Sequence, residues 1–223
     1  MNVSGAPARD PHRGQPVATA GRALHEARAA MLLVHGRGAD AESMLELAHH
    51  LPHPAFAFLA PQAAGSTWYP YSFLAPLEQN EPYLSSALGL LATVLERVGA
   101  AGVPPERLLL LGFSQGACLT LEFVARHPRR YGGVAALTGG LIGPEGTPRD
   151  YAGSLDGTPV FFGTADPDPH VPRARVEESA RVLERMGAHV TTRVYPGMGH
   201  TVNPDELEHV RALMDDLLRE PAA

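Results

Sequence analysis

Residues 108–116 decide the fold and read Leu108-Leu109-Leu110-Leu111-Gly112-Phe113-Ser114-Gln115-Gly116. Four consecutive leucines are typical of a strand that is buried on both faces of a parallel sheet. From Gln115 to about Arg126 the sequence predicts a helix. A serine on a sharp strand-to-helix turn, with a glycine two residues before it and another two residues after it, is the arrangement of an exposed nucleophile. The stretch therefore predicts a strand, a nucleophilic Ser114 and a helix in succession.

Strand-like and helix-like segments alternate along the rest of the chain. Strands are predicted at 30–34, 56–59, 107–111, 133–137, 159–162 and 190–194, and helices at 40–51, 83–98, 115–126, 172–186 and from Asn203 onward. This alternation predicts an α/β fold with a doubly wound, mostly parallel sheet that helices cover on both sides. We expect one domain over residues 21–223, without a large cap domain, and a disordered tail over residues 1–20.

The composition excludes several classes of protein. The chain has 223 residues and a formal charge of -6. Nucleic acids and anionic membranes bind clustered cations, so the charge argues against either of them as a partner. All 18 cationic side chains are arginines, which excludes a P-loop, a Schiff-base lysine and a Ser-Lys hydrolase site. One cysteine, Cys118, cannot form an intramolecular disulfide, which favours a reducing, cytoplasmic location. The apolar runs are too short to span a bilayer, so no membrane insertion is expected.

Polar residues occur where the predicted strands end, at the edge where open parallel sheets bind their ligands. The segments are 35–38 (HGRG), 112–116 (GFSQG), 163–168 (GTADPD) and 196–200 (PGMGH). They supply a serine, an aspartate and a histidine in the chain order of α/β hydrolases. His200, in a glycine-rich loop, is the predicted general base, and His35 is interpreted as a structural residue. Position does not separate Asp166 from Asp168 as the acid that orients the histidine.

These residues resemble the phospholipase/carboxylesterase family of α/β hydrolases, to which the acyl-protein thioesterases belong. The resemblance covers about 29–218 and rests on the segments 33–38 (LVHGRG), 112–116 (GFSQG), 168–172 (DPHVP) and 197–200 (GMGH). The acid motif of the family, Asp-Pro-x-Val-Pro, begins with the catalytic aspartate, so the resemblance implies that Asp168 is the acid. It also implies that the backbone amides of Arg37 and Gln115 form an oxyanion hole.

Residues 62–82 form a long, irregular stretch that is rich in aromatic side chains. A loop of this length is expected to be functional, and its aromatic content argues against disorder. We predict that it forms one wall of an apolar substrate cleft, with Trp68, Tyr69, Phe73 and Leu74 as substrate-binding residues. The alternative is that these side chains fill the core beneath the loop. The Arg37 side chain has two alternatives, contact with a polar substrate or exposure to water.

The sequence therefore predicts a serine carboxylesterase that needs no cofactor and no metal. Its partner would be a small or slender carboxylic ester, cleaved through an acyl-enzyme by Ser114, His200 and Asp168. A thioesterase or lysophospholipase is the nearest alternative, and a non-catalytic binding protein with the same fold is an alternative of another class. A homodimer is compatible with the sequence. Cys118 is interpreted as a buried, inert thiol.

Overall fold

The computed structural model describes residues 10–219. The strands are β1 (Val17–Gly21), β2 (Ala29–Val34), β3 (Phe56–Pro61), β4 (Leu108–Phe113), β5 (Gly133–Leu137), β6 (Pro159–Asp166) and β7 (His189–Pro196). The α-helices are α1 (Ala41–Ala48), α2 (Tyr83–Ala100), α3 (Gln115–Arg126), α4 (Arg173–Arg185) and α5 (Pro204–Arg219). Every strand and helix that the sequence predicted is present, with ends that differ by a few residues.

The strands form one sheet in the order β1-β3-β2-β4-β5-β6-β7. Neighbouring strands are parallel except for β1 and β3, which are antiparallel. This arrangement confirms the predicted α/β architecture with a doubly wound, mostly parallel sheet. It also brings the carboxyl ends of β2, β4, β6 and β7 to one edge of the sheet, where the polar segments follow.

The inner strands are apolar throughout because both of their faces are covered. Leu32 and Leu110 belong to the core layer that contains α2, α3 and α4, while Met31 and Leu109 belong to the layer that contains α1 and α5. Successive residues of a strand point to opposite faces, so a strand between two helical layers needs apolar residues at every position. This explains why the leucine run was a reliable signal.

The predicted disordered tail over residues 1–20 is wrong for residues 10–20. β1 pairs with β3 along its whole length, and His12 is fully buried. β1 reads Val-Ala-Thr-Ala-Gly and is only partly buried at the edge of the sheet, so it lacks the run of large apolar residues that marks the inner strands. Residues 1–9 of the predicted tail lie outside the described residues.

Two long connections begin at the carboxyl edge of the sheet. Residues 62–82 follow β3 and contain short 3-10 turns at Ala64–Ser66 and Leu77–Asn80, and residues 138–158 join β5 to β6 without an α-helix. Within residues 10–219, no helix combines the length and the apolar character that crossing a bilayer requires.

Candidate active site

Ser114 stands alone between a strand and a helix. β4 ends at Phe113 and α3 begins at Gln115, so a single residue makes the turn. Ser114 has a φ of 54° and a ψ of -119°, a conformation that costs a residue with a side chain about 1–3 kcal/mol. Its N–H donates to the carbonyl oxygen of Leu137 at 2.9 Å, which anchors the turn. The serine is therefore held in a strained position at the edge of the sheet.

Gly112 and Gly116 are needed for this turn because no side chain fits at either position. A Cβ on Gly112 would lie 2.4 Å from the carbonyl oxygen of Gly116, and a Cβ on Gly116 would lie 2.1 Å from the carbonyl oxygen of Val34. The backbones of β2, β4 and the start of α3 are in contact here. This close contact explains why glycine is found two residues before and two residues after Ser114.

His200 connects Ser114 to a buried carboxylate. Its Nε2 lies 2.8 Å from Oγ of Ser114, and its Nδ1 lies 2.8 Å from Oδ2 of Asp168. The Asp168 side chain is fully buried, whereas 18% of the His200 side chain is exposed. When Nδ1–H donates to the carboxylate, Nε2 has a free lone pair that can accept the proton of the serine. The arrangement can therefore generate a serine nucleophile.

The Asp168 carboxylate is held in its ionised form by hydrogen bonds. Burial by itself would raise the pKa of Asp168, but hydrogen bonds from His200 and from two backbone amides hold the pKa below its usual value. The two amides are those of His170, at 2.7 Å from Oδ1, and of Val171, at 2.8 Å from the same atom. The Asp168 carboxylate thus stabilises the turn over residues 168–171 and also orients the imidazole of His200.

Asp166, the other candidate acid, lies outside this arrangement. Its Oδ2 is 3.0 Å from Nη1 of Arg173, and the two side chains are 41% and 49% exposed. The two aspartates lie at or just after the end of the same strand, so the sequence position could not distinguish them, but only Asp168 contacts His200. It agrees with the choice of Asp168 that the family resemblance implied.

His35 supports the loop that follows β2. The residue is fully buried, its Nε2 accepts a hydrogen bond from the N–H of Ala63 at 3.1 Å, and its Nδ1 donates to the carbonyl oxygen of Gly36 at 2.8 Å. Burial lowers the pKa of His35, which favours the neutral ring that these two bonds require. The interpretation of His35 as a structural residue is confirmed.

Two backbone amides face the space beside Ser114. Arg37 and Gln115 both line the space beside the serine. Within residues 10–219, neither N–H donates a hydrogen bond to a protein atom. The amide of Gln115 also lies at the N-terminus of α3, where the helix dipole favours negative charge. Both groups are available to an oxyanion that forms in this space.

The Arg37 side chain holds the neighbouring loop. Its Nη1 donates to the carbonyl oxygen of Pro70 at 2.9 Å, and its Nη2 donates to those of Tyr69 at 2.9 Å and Tyr71 at 2.7 Å. Neither of the two predicted alternatives included this role. The sequence could not indicate it, because the three acceptors are backbone atoms more than thirty residues away.

Trp68 belongs to the core and not to the cleft. It is fully buried, its Nε1–H donates to the carbonyl oxygen of His35 at 2.8 Å, and its backbone N–H donates to Oε1 of Gln115 at 2.9 Å. Nε2 of Gln115 in turn donates to the carbonyl oxygen of Tyr69 at 2.8 Å. The prediction that Trp68 binds substrate is therefore wrong, and the alternative of a core side chain beneath the loop applies.

An open cleft of about 440 Å³ lies beside Ser114 and His200. Tyr69 and Phe73 line it, as predicted. Leu74 is not among its lining residues and packs against the apolar core instead, so its prediction as a substrate-binding residue is wrong.

Cys118 lies one helical turn after Ser114 and is buried. Burial raises the pKa of its thiol to about 12, and the sulfur accepts a hydrogen bond from the N–H of Gly140. The predicted burial of the thiol is confirmed, and its lack of reactivity stays a prediction. Among the described residues, no group of three or more His, Cys, Asp or Glu side chains is arranged to hold a metal ion.

The loop that carries His200 is supported by a buried carboxyl group. Oε2 of Glu206 accepts a hydrogen bond from the N–H of Asn203 at 2.9 Å, and the N–H of Glu206 donates to Oδ1 of Asn203 at 3.0 Å. Asn203 also donates to the sulfur of Met198, on the other side of His200. Burial raises the pKa of Glu206 to about 7. The sequence predicted a helix from Asn203 onward but did not indicate that the Glu206 carboxyl is buried.

His12 is a supporting residue that the sequence did not indicate. Its Nδ1 accepts a hydrogen bond from the N–H of Ala64, and its Nε2 donates to the carbonyl oxygen of Trp68, both at 3.0 Å. Burial lowers the pKa of His12, which favours the neutral ring. The surrounding segment is rich in glycine and proline and has no apolar periodicity, so no local signal marked this contact.

A sequence model of the phospholipase/carboxylesterase family matches residues 20–217 of the chain. The chain belongs to this family. Acyl-protein thioesterase 1 of Gibberella zeae is 36% identical over 117 residues, which are 51% of this chain and 49% of that protein. Acyl-protein thioesterase 1 of Kluyveromyces lactis is 27% identical over 214 residues, which are 86% of this chain and 93% of that protein. The chain spans about half the length of several of the curated relatives that it matches.

Solved structures are similar to this protein over most of its length. The crystal structure of a phospholipase/carboxylesterase from Dyadobacter fermentans superposes with a TM-score of 0.87 at 45% identity, covering 92% of this chain and 97% of that chain. The crystal structure of Arabidopsis thaliana SOBER1, with a TM-score of 0.72 at 20% identity over 86% of this chain and 100% of that chain, shares the fold. The predicted family and the predicted α/β-hydrolase fold are both confirmed.

Proposed function

We propose that this member of the family is a serine carboxylesterase that hydrolyses small or slender carboxylic esters through an acyl-enzyme. One observation carries the proposal. Ser114, His200 and Asp168, which come from three different strand ends, form a single hydrogen-bonded chain with both distances at 2.8 Å. This series of hydrogen bonds ends on a serine in a strained conformation. It supplies the nucleophile, the general base and the orienting acid that acyl transfer requires.

In the first half of the reaction, Oγ of Ser114 attacks the carbonyl carbon of the ester while Nε2 of His200 takes the hydroxyl proton. Asp168 holds the ring in the tautomer that this step needs and stabilises the positive charge that forms on it. His200 then gives the proton to the leaving alcohol oxygen as the bond between that oxygen and the carbonyl carbon breaks. Ser114 is left as an ester of the acyl group.

The backbone amides of Arg37 and Gln115 stabilise the tetrahedral intermediate. Each donor aimed at the developing oxyanion contributes about 3–4 kcal/mol to such transition states. The free amides and the N-terminus of α3 support this role because they place positive charge beside Ser114. In the second half of the reaction, Nε2 of His200 takes a proton from a water molecule, whose oxygen attacks the acyl carbon. His200 then returns the proton to Oγ of Ser114 as the bond to the acyl group breaks and the acid is released.

The dimensions of the cleft support a small or slender substrate. Its volume of about 440 Å³ lies at the low end of the range for small-molecule sites, and Tyr69 and Phe73 supply aromatic walls. A small-molecule ester is therefore the proposed partner. We further propose a cytoplasmic location, because the single cysteine, Cys118, is a free thiol.

A thioesterase or lysophospholipase is the second candidate. It is favoured by relatives that carry the name acyl-protein thioesterase, and the same serine chemistry cleaves an ester or a thioester. The comparison of kcat/KM for a butyryl p-nitrophenyl ester and a butyryl thioester of equal acyl length separates the two. A binding protein without catalysis is disfavoured, because it would not need the strained Ser114 or its contact with His200.

The deciding experiment is labelling with a fluorophosphonate, followed by mass spectrometry to locate the adduct. We expect one adduct, on Ser114, and none in the Ser114→Ala variant. Ser85→Ala, which changes an exposed serine on α2, serves as the matched control and should label like the wild type. An adduct at another residue, or no adduct in folded protein, would contradict the proposed function.

A further inference from the structure

The turn that supplies Asp168 also places a second histidine in the cleft. His170 follows two residues later, and its N–H is fixed by Oδ1 of Asp168 at 2.7 Å. Its ring meets the ring of His200 edge to face, with centroids 4.8 Å apart and planes at 74°. The carboxylate that orients His200 therefore also determines where His170 stands.

The His170 ring is free to bind a ligand. The residue is exposed and lines the cleft together with Ser114 and His200. Neither of its ring nitrogen atoms has a hydrogen-bond partner anywhere between residues 10 and 219. Its neighbour Val171 is buried and anchors the turn, and the contact with the His200 ring is the ring contact that the described residues give His170.

The chemistry of acyl transfer puts the alcohol part of the substrate beside His170. Nε2 of His200 must reach the leaving oxygen in order to protonate it, so the alcohol part lies next to the His200 ring. His170 packs against that ring. The carbonyl oxygen of the ester points instead to the proposed oxyanion amides of Arg37 and Gln115.

The cleft is suited to a negative charge. Of the described residues that line it, none is an aspartate or a glutamate, although the chain as a whole has a formal charge of -6. Arg37 contributes to one wall, and α3 begins at Gln115 beside Ser114, with the positive end of its dipole at the site. A carboxylate in the cleft would therefore meet hydrogen-bond donors and no exposed like charge.

We propose that His170 is a specificity residue that binds a carboxylate on the alcohol part of the substrate. The preferred substrates are then acyl esters of short hydroxycarboxylic acids, in which a ring N–H of His170 donates to the carboxylate while Ser114 attacks the ester carbonyl. This inference rests on the proposed esterase function and adds the substrate class to it.

The test compares three acetyl esters of equal length at neutral pH, with acetate release as the readout. Acetoxyacetate carries the carboxylate, acetoxyacetamide is its neutral counterpart, and acetoxymethylphosphonate carries a different anion. For the wild type we expect kcat/KM for acetoxyacetate to exceed that for acetoxyacetamide by about tenfold, as one hydrogen bond to a charged group allows. His170→Ala should bring this ratio close to one, and His170→Gln, which keeps a donor, should retain part of it.

His49→Gln is the matched control, since His49 is exposed at the end of α1, and its ratio should equal that of the wild type. Fluorophosphonate labelling of Ser114 in each variant shows that the site is intact. Equal rates for acetoxyacetate and the amide, an unchanged ratio in His170→Ala, or a preference for the phosphonate would each overturn the inference while Ser114 is still labelled. Absence of both labelling and hydrolysis would instead overturn the proposed function and the inference with it.

Discussion

The indole N–H of Trp68 donates to the carbonyl oxygen of His35 at 2.8 Å, directly before the segment that carries Arg37. Both residues are fully buried, and the ring centroids of the two side chains lie 4.8 Å apart. His35 also accepts a hydrogen bond from Ala63, so both the carbonyl and the ring of His35 link the loop after β2 to the loop after β3. The position of the proposed oxyanion amide of Arg37 thus depends on a side chain that does not touch the cleft.

Replacing Trp68 by Phe should impair both stability and turnover. The change leaves the buried carbonyl of His35 without its donor and removes part of a packed ring, which we expect to lower the free energy of unfolding by about 2 kcal/mol. Because the loop can then shift, kcat on a p-nitrophenyl ester should fall on the order of tenfold. Phe56→Leu, in the core layer on the opposite face of the sheet, should lower stability alone. Unchanged turnover in Trp68→Phe would contradict the coupling.

The two aspartates that follow β6 should respond very differently to replacement by asparagine. Asp168→Asn removes the charge that stabilises the His200 imidazolium and should lower kcat by about 10⁴-fold. Asp166→Asn removes only an exposed ion pair with Arg173 and should change kcat by less than about threefold. Turnover of a p-nitrophenyl ester measures both. A larger loss in Asp166→Asn would show that the acid is assigned to the wrong residue.

Gly116 and Gly89 are a matched pair of glycine positions for substitution by alanine. A Cβ on Gly116 would lie 2.1 Å from a backbone oxygen, so Gly116→Ala should destabilise the fold by about 3 kcal/mol or more. Gly89 is exposed within α2 and has nothing within 4 Å of an added Cβ, so Gly89→Ala should raise stability by about 0.5–1 kcal/mol. Urea unfolding of the two variants measures both effects, and equal effects would refute the steric argument.

Glu206 should make stability depend on pH. Burial raises the pKa of Glu206 from its usual 4.5 to about 7 in the folded protein, so the unfolded chain ionises first as the pH rises. The contribution of the protonated group is fully present below about pH 4.5 and is lost as the pH rises through about 7, for a total of about 3 kcal/mol.

The variant Glu206→Gln cannot ionise and should not show this loss. Relative to the wild type, its free energy of unfolding should therefore increase between about pH 5 and about pH 8, as measured in urea. Glu208→Gln replaces an exposed carboxyl on the same helix and should follow the wild-type pH dependence. A constant difference between Glu206→Gln and the wild type across this range would show that Glu206 is not protonated in the folded state.

The inner sheet and the serine turn were predictable because their signals are local. The leucines of β4 must be apolar at every position, since helices cover both faces, and the glycines around Ser114 leave room for a backbone contact that nothing larger permits. β1 was missed for the converse reason. An edge strand that is only partly buried needs no apolar run, and its five residues are recognisable as a strand only when β3 lies beside them.

The sequence by itself determined the order of strands and helices, the nucleophile turn and the set of strand ends at which polar residues gather, because each depends on neighbours a few residues away. Tertiary structure alone decided which side chains line the cleft and which are buried behind it and support its loops. Trp68, Arg37 and His12 each find their partners across long separations in the chain, through backbone carbonyls that every residue possesses. A pattern of residue types cannot predict such partners. The hydrogen bonds that hold the loops of the cleft around Ser114 are therefore seen only in the folded protein.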